Sequence, residues 1–139
     1  MGIDKVHITR IIELFVVKEK RARFLEFISS PDGCNGQPKR YDDFLQELLN
    51  DPRNIDPKCI AEDLGGRYEQ PEIIEKLRKL GAGKQAYLVS GNWDDDGKTG
   101  GLDEIIALVN GGGEIVYCLG TRLGYYEGHE NWRYILKAQ

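Results

Sequence analysis

The sequence predicts an α/β protein built on a single mixed sheet of about five strands, with α+β as the nearest alternative. Three observations carry this. Amphipathic helical stretches alternate with short apolar runs between residues 58 and 120. Glycine-bearing turns separate the last three apolar runs. The first 50 residues read as helices and breakers only.

Residues 8–28, "ITRIIELFVVKEKRARFLEFI", read as one long helix or two joined ones. Ile8, Ile11, Ile12, Phe15, Ala22 and Leu25 recur at helical spacing, while Leu14, Val17, Phe24 and Phe27 fall off that stripe. A helix with apolar residues on two sides is wedged between partners or meets another chain. "SSPDGCNGQPKR", residues 29–40, ends it. Tyr41, Phe44, Leu45, Leu48 and Leu49 then mark a cleanly amphipathic helix. Two Asp-Pro steps follow, at 51–52 and 56–57, each disfavouring helix before the proline.

"KCIAEDL" (58–64) is the first strand candidate. Pro71 suits the first turn of the next helix, whose stripe is Ile73, Ile74, Leu77 and Leu80 and whose C′ residue is Gly81. "KQAYLVS" (84–90) reads as a strand. Leu102, Ile105, Ile106 and Val109 mark a helix stopped by "NGGG". "EIVYCLG" (114–120), nearly apolar on both sides, reads as a central strand. "RLGYYEG" and "NWRYILK" complete a C-terminal antiparallel meander. The strand–helix alternation before it favours parallel pairing through right-handed crossovers, hence a mixed sheet with the N-terminal helices packed on one face. One domain spans 1–139, its helical segment 1–50 lying on a body of 58–138.

Composition narrows the class. At 40% hydrophobic and 30% charged the chain has the make-up of an ordinary globular domain. Cys34, Cys59 and Cys118 are too far apart for a CxxC site, so they read as reduced thiols of a cytoplasmic protein. The longest early apolar run, "LFVV", is too short for a membrane span. The net charge is −4, divided unevenly: residues 1–40 carry +3, much of it in "KEKRARF", and residues 41–139 carry −7. An acidic body argues against nucleic acid, because phosphate contacts dominate that affinity. Lys18, Lys20, Arg21 and Arg23 read as the wet side of a helix, or as a dock for the acidic face of a second copy.

The most distinctive stretch is "SGNWDDDGKTGG", residues 90–101. Gly97-Lys98-Thr99 has the end of a phosphate-binding loop, but Gly91 stands one residue too far away and three aspartates would repel phosphate. With Asn92 as position 1, Asp94, Asp96, Gly97 and Asp103 fall at 3, 5, 6 and 12. That order resembles the oxygen ligands of an EF-hand loop. It departs in having Asn first, Asp rather than Glu last, and a strand before it. The resemblance implies calcium or magnesium as the ion and Asp94, Asp96 and Asp103 as its ligands. No other cofactor is expected, and a local polar turn is the preferred reading of the stretch.

If the strands at 58–64 and 84–90 are parallel, their following loops lie on one edge, and Arg67 and Tyr68 face Asn92, Trp93 and the aspartates across a cleft that takes a polar ligand. Adjacent Tyr125 and Tyr126 must point to opposite faces of the sheet, so one of them leaves the core. With Trp132 and Arg133 they have the composition of an interface hot spot. Cys118 and His129 are the one thiol–imidazole pair considered, against a Cys118 set in an apolar strand. The expected function is a non-catalytic, regulatory or inhibitor-like module that binds a protein partner or itself. The alternatives are a small-ligand or divalent-cation domain using residues 90–103, and an enzyme whose groups, such as Arg67, Asp96 and Glu127, meet only in three dimensions.

Overall fold

Asp4 starts the first helix: its Oδ1 accepts the N–H groups of Val6 and His7 at 3.0 and 3.1 Å, capping α1 (Lys5–Phe15). The computed structural model describes residues 3–33, 36–65, 69–129 and 132–139. The long apolar stretch of 8–28 is two helices, α1 and α2 (Lys18–Ile28), broken where Val16 bridges Ile55 and the Val17 N–H donates to the Asn54 carbonyl at 2.9 Å. Next comes α3 (Tyr41–Asn50), and two single turns of 3-10 helix follow, opened by Pro52 and Pro57.

The body continues through β1 (Ile60–Asp63), α4 (Gln70–Leu80), β2 (Gln85–Ser90), β3 (Thr99–Gly101), α5 (Leu102–Ala107), β4 (Glu114–Cys118), β5 (Leu123–Glu127) and β6 (Arg133–Lys137). Pro71 lies in the first turn of α4, and Gly81 ends that helix with a left-handed φ of +114°, as its sequence position implies.

The strands form one sheet in the order β1-β6-β5-β4-β2-β3. It has six strands rather than about five, and it is antiparallel throughout rather than mixed. The expected parallel pairing of 84–90 with 114–120 is overturned: β2 and β4 run in opposite directions, with Tyr87 opposite Tyr117. The cause is β3. After β2 the chain turns back on itself, and β3 carries it to the starting end of β2, where Gly101 faces Gln85. The short helix α5, about 9 Å long at 1.5 Å per residue, then climbs the sheet face. It delivers the chain to the far end, so β4 descends beside β2. The C-terminal meander β4-β5-β6 is as expected.

Helices cover both faces. Ile8, Ile11, Phe15, Phe24, Phe44 and Leu48 of α1–α3 pack on Tyr87, Val89, Ile115, Tyr117 and Tyr126, so the N-terminal helices share one face. Ile73 and Leu77 of α4 and Ile105 and Ile106 of α5 pack on Leu88, Val116, Cys118, Tyr125 and Ile135. This second layer corrects the reading of Tyr125 and Tyr126. They do point to opposite faces, yet both are fully buried, because each face has its own helices. No helix among the described residues is long and apolar enough to cross a membrane.

Candidate functional site: the loop-bearing edge of the sheet

β2 and β5 end, and β4 and β6 begin, at one edge of the sheet. Their terminal residues form a row across four strands, Ser90–Glu114–Glu127–Arg133, each opposite the next. Alternation places all four on the face covered by α4 and α5, in line with Leu88, Val116, Tyr125 and Ile135. A polar row at the end of an apolar sheet must satisfy itself or hold something.

Three of the four are bonded, Ser90 through its hydroxyl, which accepts the Asn92 N–H at 2.9 Å. Glu127 Oε1 accepts the Tyr125 hydroxyl at 2.6 Å and Arg133 Nε at 3.2 Å. Arg133 also donates from Nη1 to the Gly65 carbonyl at 3.2 Å. Glu114 is different. Its residue is 0% exposed. Its Oε1 accepts the Gly111 N–H at 3.2 Å, while Oε2 has no hydrogen-bond partner among the described residues. Burial pushes the Glu114 carboxyl up to about 7, the Glu127 charge adds to the rise, and the N–H groups of Asn110, Gly111 and Gly112 oppose it. Over the two glutamates lies the glycine loop 110–113. A Cβ on Gly111, which has φ +83°, would stand 3.4 Å from Glu127 Oε2, and one on Gly112 3.6 Å from Glu114 Oε2. Both distances are ordinary van der Waals contact, and it is the left-handed φ that favours glycine at 111.

Beside this loop stands the acidic turn. Asp96 is buried: its Oδ1 accepts the Ser90 N–H at 2.8 Å and its Oδ2 the Tyr41 hydroxyl at 2.5 Å. Burial raises its pKa, while those donors hold it down. The Asn92 side chain accepts the Asp94 N–H at 3.1 Å, Lys98 pairs with Asp95 at 3.0 Å, and Gly97 takes φ +84°. The stretch is a self-bonded turn of a hairpin.

The three aspartates assigned to a cation do not come together. Asp94 is exposed at the tip and Asp96 is bonded toward α3. Asp103, on α5, pairs with Arg78 of α4 at 2.6 Å on the opposite side of the sheet. The three residues of β3 separate the turn from α5, which the EF-hand order does not allow. No group of three or more potential metal ligands occurs among the described residues.

Arg67 and Tyr68 lie outside the described residues. Their loop leaves β1, which runs in the same direction as β2 but four strand positions away, roughly 19 Å at ordinary strand spacing. The two strands run the same way, as the expected cleft required, but three strands lie between them, and the cleft wall with Arg67 and Tyr68 lies outside the described residues. Cys118 and His129 stand at opposite ends of the sheet. Cys118 is fully buried, which pushes its thiol up to about 12, and the His129 imidazole contacts Asn50 at 3.2 Å.

On the basic helix Lys18, Lys20 and Arg23 are exposed, as the wet side of a helix, and the two arginines are tied to the protein's own groups. Arg23 grips Glu47 with two hydrogen bonds at 2.9 and 2.5 Å, and Arg21 donates to the Val16 carbonyl at 2.9 Å. The cavity between α2 and α3, about 600 Å³, is lined by such self-paired charges.

Two features of the loop-bearing edge face outward. Both tryptophans of the chain are there: Trp93 in the acidic turn, 75% exposed, and Trp132 at the start of β6, 37% exposed. The strands that carry them are three positions apart, roughly 14 Å. Next to Trp93, α3 and the loops enclose a groove of about 260 Å³ lined by Asp42, Gln46 and Asn50 and by Gly91 and Gly112. Asp42 on its wall and Asp94 nearby have no ion-pair partner among the described residues. The sequence marks Trp93, Asn92, Trp132 and Arg133 at this edge and makes Asp42 the wet side of its helix, but Glu114 does not stand out. The signal for Glu114 was a lone charge opening an otherwise apolar strand directly after three glycines.

No protein-family model, curated protein or solved structure matches this chain.

Proposed function

We propose that this protein is a non-catalytic binding module, regulatory or inhibitor-like, whose loop-bearing edge docks a basic segment of a partner protein. The exposure of both tryptophans on loops of one edge is the observation that carries this reading. Large aromatic side chains are the residues most enriched at binding hot spots, and a folded domain gains nothing by leaving them in water. The edge supplies charge: Asp42 on the groove wall and Asp94 in the exposed turn have no ion-pair partner among the described residues, and residues 41–139 carry −7 in all. Such a surface favours a cationic partner. The buried glutamates support a non-catalytic role, since a general acid must come within hydrogen-bond reach of its substrate and Glu114 and Glu127 are 0% and 7% exposed.

The test is affinity capture with the wild type and with a Trp93→Ala, Trp132→Ala double variant whose fold is verified by circular dichroism. The wild type is expected to retain a partner of positive net charge. The double variant should bind it at least about 30-fold more weakly, the loss of one hot spot. Equal binding by both forms, or a partner of negative charge, overturns the reading.

A further inference from the structure

We infer that Glu114 is a proton-operated latch on the glycine loop that floors the docking groove, so that the edge is formed when this carboxyl holds a proton and loosened when it loses it. The inference rests on the docking role proposed above for its consequence, but not for the latch itself.

The geometry is a mechanical chain. Gly112 lines the groove, and Gly113 holds the loop to both neighbours: its carbonyl accepts the Gly91 N–H at 3.0 Å, and its Cα side lies against Leu49 of α3. The Gly111 N–H is tied to Glu114 Oε1. Displacing the Glu114 carboxyl therefore moves the loop, and the loop forms part of the groove. The unpartnered Oε2 is the moving part. Protonated, it is a donor with the Glu127 carboxylate opposite it in register. Ionised, it is a second buried negative charge beside Glu127 with no donor of its own.

The groups around it do not neutralise that charge. From β5, Glu127 adds repulsion and Tyr125 donates to Glu127, not to Glu114. From β6, Arg133 donates to Glu127 and to Gly65. From β2, Ser90 stands opposite Glu114 but its hydroxyl accepts the Asn92 N–H, and beyond it Asp96 is bonded to Ser90 and Tyr41. From α4, Gln70 donates to the Val109 carbonyl. On the β5–β6 turn, His129 contacts Asn50. The loop N–H groups support the anion, and with the carboxyl raised to about 7 burial and the Glu127 charge outweigh them.

The experiment follows the backbone amides of Gly111, Gly112 and Gly113 by NMR in the full chain, without partner, from pH 5 to 9. Wild type is expected to show one inflection shared by all three, within about a unit of pH 7. Glu114→Gln should show none, its shifts staying at their low-pH values. Histidine is the other side chain whose charge commonly changes in this interval, so His129→Gln should keep the inflection. Should Glu114→Gln fail to fold, Glu127→Gln must move the inflection down by about half a unit or more, because it removes a like charge. Flat wild-type amides, an inflection that survives Glu114→Gln, or one that Glu127→Gln leaves in place overturns the latch. The second arm measures the captured partner at pH 6 and pH 8. Wild type should bind about tenfold more tightly at pH 6, and Glu114→Gln equally at both. Titrating amides with pH-independent binding would sever the latch from the groove. Titrating amides with no partner at all would refute the docking role and leave the latch standing.

Discussion

The acidic turn after β2 and the glycine loop before β4 lie side by side at one edge, joined by the Gly91–Gly113 hydrogen bond. Each is tied to a buried carboxylate, Asp96 within the turn and Glu114 directly after the loop, yet the two are opposites. Asp96 has a donor on each oxygen, a backbone N–H and a tyrosine hydroxyl. Glu114 accepts the Gly111 N–H at one oxygen and has no partner at the other among the described residues. The difference teaches that burial of an acid says little by itself. A fully bonded carboxylate is a structural tie, whereas a half-bonded one is held in place by its proton. The same contrast separates conspicuous sequence from responsive structure: three aspartates draw the eye to a turn that satisfies itself, and one glutamate among apolar residues is the group with a choice of states.

The largest test of the comparison is Asp96→Ala. It leaves the Tyr41 hydroxyl and the Ser90 N–H buried without an acceptor, at about 1–3 kcal/mol each. A loss of about 3–5 kcal/mol is expected in urea denaturation at pH 7. Next comes the pH dependence of the wild type. Glu114 rises from 4.5 unfolded to about 7 folded, so the native state binds the proton more tightly. Its contribution is fully present below pH 4.5, is lost as pH rises through about 7, and is flat above. At about 1.4 kcal/mol per pH unit the fall is about 3 kcal/mol, and it should vanish from the difference curve of Glu114→Gln.

A smaller effect, about 1–2 kcal/mol, is expected of Gly113→Ala, which forces a side chain to φ +94° and within 3.1 Å of Leu49 Cβ. Denaturant midpoints should report it, together with a fluorescence change from the tryptophans at that edge. The smallest effects belong to the outer aspartates. Asp94→Ala and Asp103→Ala should each change stability by less than about 1 kcal/mol, since one is exposed and unpaired and the other makes a surface ion pair. A loss of several kcal/mol on removing Asp94 would erase the distinction between tip and tie.

Much of the architecture was legible in the residues. The stripe of α3, the proline start and glycine stop of α4, and the meander of the last three strands all rest on local chemistry that neighbours only reinforce. The direction of β4 was not legible. It turns on β3, a Thr-Gly-Gly segment whose two glycines are poor strand formers and which pairs along the edge of β2. The same return of β3 carried Asp103 to the starting end of β2, away from Asp96. The burial of Tyr125 together with Tyr126 was equally hidden, because alternation tells which residues share a face, not whether both faces are covered.

By itself, then, the order of amino acids settled periodicities, stops and the acid-rich composition of the body, since these depend on contacts within a turn or two of chain. Tertiary structure alone decided which acids are tied and which is free to titrate. Desolvation and hydrogen-bond supply come from residues far apart in sequence: Tyr41 for Asp96, and Glu127 for Glu114.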